Sequence, residues 1–255
     1  MAGQISRSFA RPSEPQLRPL HNRPRAVGRA HAKDRPQGLV DPLKFLPYDM
    51  LPLSIRTGED SYKLRYELMG AWITPNSRAV EQFLSASKAR APGEKFVGYY
   101  GPSVPQVRAM FDELKASGVS YVLDPTISSE VGHVQRTRLP SEVLASHNAQ
   151  CLEGSLLFAT LMEAIGLSPF VVHVPGHAFV GWMPTKGDNA SPGSVYYLET
   201  TRVGGNSTFE EAMAVARDRV AKEEAAGNFK NSRAFVVQVR DMRAAGVTPQ
   251  PYEKD

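Results

Sequence analysis

The sequence predicts an α+β fold in which a buried helix lies on an antiparallel sheet. Three observations lead there. The stretch Cys151–Ile165 carries Leu152, Leu156, Leu157, Ala159, Leu161 and Ala164, and is apolar nearly all round, the pattern of a helix enclosed by the rest of its domain. After it come three runs rich in β-branched and aromatic residues, 170–174, 177–182 and 195–200, joined by short connections, so neighbouring strands are expected to run antiparallel. The chain has 255 residues, 42% hydrophobic and 22% charged, enough for one domain with a substantial core.

The elements follow in order. Residues 51–57 and 62–68 alternate at period two and read as strands, paired across the turn 58–61. Thr74-Pro75-Asn76 opens a helix over about 77–91, with Val80, Phe83 and Leu84 on one face, and Pro92-Gly93 stops it. A second helix spans about 103–117, with Val107, Met110, Phe111 and Leu114 inward and Gly118 at its C-terminal cap. Residues 120–123 read as a short strand, 124–138 as an irregular connection, and 140–144 as one helical turn. Gly166 ends the central helix, with Pro169 close behind. Pro175-Gly176 separates the first two strands of the sheet, and 183–194 is a loop. Thr208 and Glu211 form a capping box that starts a helix to about Ala226, and 234–239 is a last strand.

Charge divides the chain. Residues 1–38 hold eight basic and two acidic residues, a net of +6, which leaves −2 for the remainder of a chain whose total is +4. The same segment has five prolines and no hydrophobic periodicity, so it reads as a disordered basic tail. A solvated tail is the simpler reading, with contact to nucleic acid as the lesser alternative. The expected organisation is therefore a tail (1–38), strands and helices packing on the core (39–130), and the core itself (131–255). The single cysteine excludes a disulfide framework and a Cys-based zinc cluster. There is neither an apolar run of membrane-spanning length nor a secretory h-region, and the expected location is the cytoplasm.

The candidate chemistry rests on three residues. A thiol attacks a carbonyl as the thiolate, which a helix N-terminus and a neighbouring imidazolium both favour. Cys151 opens the central helix, where unpaired backbone N–H groups can also hold an oxyanion. His177 begins one strand and Glu199 lies near the end of the next. If those strands pair antiparallel, the carboxylate meets one imidazole nitrogen and leaves the other for the thiol, the order nucleophile, base, orienter. The Cys151 amide is the favoured oxyanion donor, with the side chains of Asn148 and Gln150 as further candidates. Trp182 and Tyr197 are candidates for lining a substrate groove. Other residues compete for these roles. His147, His173 and His177 with Cys151 make an alternative zinc set, but without compact ligand spacing. Asp188, in a Gly-Asp-Asn turn, is the alternative orienter, and Glu153 is either an anchor behind Cys151 or a complement to the helix dipole.

The blocks Cys151-Leu-Glu-Gly-Ser-Leu-Leu-Phe-Ala-Thr-Leu-Met-Glu-Ala-Ile-Gly-Leu-Ser-Pro169, Gly176-His-Ala-Phe-Val-Gly-Trp182 and Tyr197-Leu-Glu-Thr-Thr201 resemble the core of the transglutaminase-like superfamily of papain-like cysteine hydrolases, over about 140–201. The resemblance implies Cys151 as nucleophile, His177 as base and Glu199 as third member, with no cofactor. Two positions depart from the family pattern: Glu199 stands where Asp is usual, and Leu152 follows the cysteine where Trp is common. The implied activity is hydrolysis or acyl transfer at a peptide, isopeptide or carboxamide bond of a protein or peptide substrate, through a thioester. The alternative is a catalytically silent fold that serves as a protein-binding or scaffold module.

Overall fold

A computed structural model describes residues 46–58, 61–123 and 134–251. The basic tail and most of the connection at 124–138 fall outside the described residues. In chain order the elements are β1 (Met50–Pro52), β2 (Ser54–Arg56), β3 (Tyr62–Leu64), α1 (Arg78–Ser87), α2 (Ser103–Ala116), β4 (Ser120–Tyr121), β5 (Val134–Arg136), α3 (Pro140–Ser146) and β6 (Asn148–Ala149). Then follow α4 (Cys151–Ala164), β7 (Pro169–Val174), β8 (His177–Trp182), β9 (Tyr196–Leu198), α5 (Phe209–Ala225), β10 (Phe235–Gln238) and α6 (Val239–Ala244). This is a mixed α+β fold.

The main sheet has the order β10-β7-β8-β9, and every neighbouring pair is antiparallel. Alternation along its strands supplies two apolar faces. Val171, Ala178, Val180, Trp182 and Leu198 join α4 in the larger core cluster, while Phe170, Val172, Val174, Phe179 and Tyr197 pack with Ala216 and Val220 of α5 in a second one. The helix α4 is therefore enclosed, touching β7 and β8 as well as α1, α2 and α3. That enclosure explains why it has no polar stripe: Leu156, Ala159, Leu161 and Met162 have no exposed surface.

Two glycines set the ends of α4. Gly166 has φ +79° at its C-terminal side, a conformation that costs an L side chain roughly 1–2 kcal/mol. A Cβ there would meet no atom within 4 Å, so the cost of Gly166→Val is backbone strain alone. The expected result is a melting temperature about 2–6 °C lower, checked by calorimetry; an unchanged value would show that the cap does not hold the helix end. Gly154, one turn after Cys151, is a close approach instead: a Cβ would lie 3.0 Å from Thr200 Oγ1 and 3.4 Å from Thr200 Cβ. The missing side chain lets the first turn of α4 approach the residue that follows Glu199.

The structure departs from the sequence reading where partners are distant in the chain. The strand expected over 51–57 is split, because Met50–Pro52 pairs with β5 while Ser54–Arg56 forms the expected hairpin with β3. The alternation of 62–68 breaks after Leu64. Tyr66–Trp72 winds into a 3-10 helix that buries Met69 and Trp72, and the Trp72 indole donates to the Thr137 carbonyl at 2.8 Å. The last strand stops at Gln238, and Val239 begins a helix with Met242 buried against the 3-10 segment. The one turn expected at 140–144 extends to Ser146.

Candidate active site

The first turn of α4 is held by an ion pair between a buried carboxylate and a half-buried guanidinium. Glu153, only 2% exposed, accepts from the Arg138 guanidinium at both oxygens, Nε to Oε1 at 3.0 Å and a terminal amino group to Oε2 at 2.7 Å. It also accepts from two backbone N–H groups, those of Arg138 (2.8 Å) and Gln150 (3.1 Å). Arg138 in turn donates to the Asn148 carbonyl at 3.2 Å and to Ser146 Oγ at 3.0 Å. Glu153 is thus an anchor that ties the entrance of the helix to the segment before α3, and it does more than complement a dipole. Cys151, part-exposed, stands on the turn so fixed.

The sheet supplies the other two groups. His177 is the first residue of β8 and Glu199 the first after β9. In the register Val180↔Leu198 and Gly181↔Tyr197, the odd-numbered residues of both strands share a face, so His177 and Glu199 project on the side of Phe179 and Tyr197. His177 Nε2 lies 2.7 Å from Glu199 Oε2. The other oxygen of Glu199 accepts from the Thr201 N–H at 3.1 Å and the Thr201 hydroxyl at 2.7 Å. Both carboxylate oxygens are therefore engaged, and the acid has a single orientation.

The Cys151 thiol is close enough to the His177 ring to influence its ionisation. Because Nε2 is committed to Glu199, the nitrogen left for sulfur is Nδ1. Electrostatics follow from this arrangement. Burial alone would discharge the imidazole, but the neighbouring Cys151 sulfur and the hydrogen bond to Glu199, with the negative charge of both, raise it to about 9. Burial likewise opposes ionisation of Glu199, and the His177 and Thr201 hydrogen bonds outweigh it and hold the carboxyl below its ordinary value. At neutral pH the pair is imidazolium and carboxylate.

The remaining candidates lie as follows. Gln150 is buried, and its amide nitrogen donates to the Arg136 carbonyl at 2.7 Å, while its oxygen faces Gln135. Asn148 turns its amide nitrogen back to the Ser146 carbonyl at 2.8 Å. Both side-chain donors are thus occupied within the protein. Trp182 has no exposed surface and donates to Ser103 Oγ at 2.8 Å, and Tyr197 is edge-on to Phe170 and Phe179 in the second core cluster. These two aromatics are core residues. Asp188 caps α2 through the N–H and hydroxyl of Ser103, at 2.8 and 2.5 Å, far from any role toward His177. His173 is stacked on Phe235 with centroids 4.7 Å apart, and burial, then the charge of His177, lowers its basicity. His147 is exposed at the left-handed cap of α3. Among the described residues no three His, Cys, Asp or Glu side chains are grouped so as to hold a metal ion.

One residue beside the site has no signature in the sequence. Tyr121 belongs to β4, which pairs in parallel with β6 in the register Tyr121↔Ala149, two residues before Cys151. The phenol is 43% exposed, and burial, then the negative charges of Cys151 and Glu199, raise it above its ordinary value, so it remains a proton donor. A two-residue parallel pairing across 28 positions leaves no local pattern to read. Against His177 and Glu199, an open cavity of about 350 Å³ lies between β8, the 3-10 turn Thr200–Arg202 and α5.

No family model, no curated protein and no solved structure matches this chain.

Proposed function

We propose that the protein is a cysteine-dependent hydrolase or acyltransferase of the transglutaminase-like, papain-like kind, acting on a peptide, isopeptide or carboxamide bond. The observation that carries this reading is the His177–Glu199 contact of 2.7 Å, made by a ring whose ionisation the thiol at the tip of α4 also influences. In this reading the thiol proton resides on His177, and Glu199 keeps the ring aligned and charged. The thiolate attacks the carbonyl carbon, and the oxyanion is met by the backbone N–H of Cys151. His177 then gives its proton to the leaving amine, a thioester remains on Cys151, and water or a second amine resolves it. The Glu153–Arg138 pair supports the same reading, since it fixes the turn that carries both the sulfur and the amide.

Acyl capture tests it. With p-nitrophenyl acetate the protein should release a burst of nitrophenolate and gain one acetyl group on Cys151, seen by mass spectrometry. Cys151→Ala should abolish both, and His177→Ala should slow the burst by on the order of 100-fold. A burst that persists in Cys151→Ala would overturn the assignment.

A second reading, a silent fold serving as a protein-binding module, is favoured by the β2–β3 hairpin, which leaves Ile55, Tyr62 and Leu64 exposed. Under it, no acetyl group accumulates on Cys151, and partner binding is lost on Leu64→Asp but kept in Cys151→Ala.

A further inference from the structure

Resting on the reading of Cys151 as nucleophile, we infer that the cavity beside His177 is an anion subsite, and that the substrate carries a free carboxylate seated between Arg202 and Arg219. The cavity, about 350 Å³, is lined by His177, Glu199, Thr201, Arg202, Val215 and Arg219. That is large enough for a short side chain.

The protein fixes the backbone that carries Arg202 and the guanidinium of Arg219. Arg202 is the last residue of the 3-10 turn that begins after Glu199, and its N–H donates to the Glu199 carbonyl at 3.2 Å. Its side chain is exposed, and no carboxylate among the described residues pairs with it. Arg219 projects from α5. Its Nε donates to Glu223 Oε1 at 2.7 Å, and one amino group faces the Pro175 carbonyl at 3.4 Å, which orients the fork. Glu223 is also held by Asn228, so it is a fixed counter-ion to Arg219.

Charge and shape then select the ligand. Glu223 offsets Arg219, whereas the exposed Arg202 has no carboxylate partner among the described residues and is the guanidinium open to an anion. Planar carboxylates also match the guanidinium fork. Val215 forms an apolar wall on which one or two methylenes can lie. A substrate with a carboxylate on a short aliphatic stem satisfies all of these surfaces.

The test compares two alkylating agents that differ only in charge. Because the chain has one cysteine, alkylation by iodoacetate and by iodoacetamide reports on Cys151 alone. The ratio of the two rates is measured for the full chain, for Arg202→Gln and for Arg219→Gln. Arg202→Gln is expected to lower the iodoacetate-to-iodoacetamide ratio about threefold, the effect of removing one unit charge from the rim of a site. Added salt should lower the ratio of the unaltered protein and move that of the variant less. Succinate should protect the unaltered protein against iodoacetamide at lower concentrations than it protects Arg202→Gln. A ratio unchanged in both variants, or succinate protection equal in all three proteins, would overturn the subsite. Failure of the nucleophile reading shows elsewhere, as an ordinary thiol pH profile indifferent to His177→Ala, and is therefore told apart from failure of the subsite.

Discussion

Replacing His177 by alanine is expected to slow alkylation of Cys151 by iodoacetamide at pH 6 by roughly 30-fold. An ordinary thiol with a pKa near 8.5 is only about 0.3% thiolate at that pH. A thiolate paired with imidazolium is almost fully ionised but less nucleophilic, which takes back about tenfold of the difference. The sign of the pH dependence follows from the raised value of His177. The imidazolium persists up to about 9, so its effect on the sulfur should be lost as pH rises through that value. The unaltered protein should therefore gain less from rising pH than His177→Ala, which should climb close to tenfold per pH unit toward 8.5. Glu199→Gln is expected to fall between them. It keeps a hydrogen-bonding group opposite Nε2 but removes the negative charge that favours the imidazolium, and its advantage over His177→Ala should end at lower pH. Rates followed by mass spectrometry at several pH values check all three. Parallel profiles for the unaltered protein and His177→Ala would end the account of an activated sulfur.

Arg138→Ala is expected to cost about 3–5 kcal/mol of stability, because it strands the Glu153 carboxylate, 2% exposed, without its counter-charge. For a domain of this size that is a fall in melting temperature of roughly 10 °C or more. The loss should be specific to the unpaired charge. Combining Arg138→Met with Glu153→Leu removes both charges and keeps apolar volume, and should recover most of the stability. The same double variant should still weaken the reactivity of Cys151. The carboxylate is what joins the backbone N–H groups of Arg138 and Gln150, and without it the start of α4 loses its brace. Thermal unfolding of the single and double variants, with alkylation rates at pH 6, separates the two effects. A melting temperature within 2 °C of the unaltered protein for Arg138→Ala would show that Glu153 is not dependent on its partner.

Helix ends and strand alternation are set by neighbours in the chain, and these were legible. Gly166 and Gly118, expected as caps, both take positive φ, and the capping box at Thr208 opens α5 with the Glu211 N–H donating to the Thr208 hydroxyl at 3.2 Å. Period two along 177–182 and 195–199 was enough to anticipate that a histidine at the start of one strand meets an acid at the end of the next, once antiparallel pairing was granted. The same local rules said that Cys151 begins a helix.

What covers each face was not legible. Trp182 and Tyr197 are groove candidates although strand aromatics more often pack a core, and only α2, through Ser103, and α5, through Ala216 and Val220, decide that both are enclosed. Glu153 looks like any first-turn acid until Arg138, fifteen positions earlier, is brought onto it. Tyr121 and the Arg202–Arg219 cavity depend on β4 meeting β6 and on α5 crossing the sheet. The physical reason is range. Torsional preference, capping and side-chain periodicity act over a few residues and leave a mark in the sequence. Burial, ion pairing and cavity shape depend on which distant surfaces meet, and that is a property of the folded chain alone.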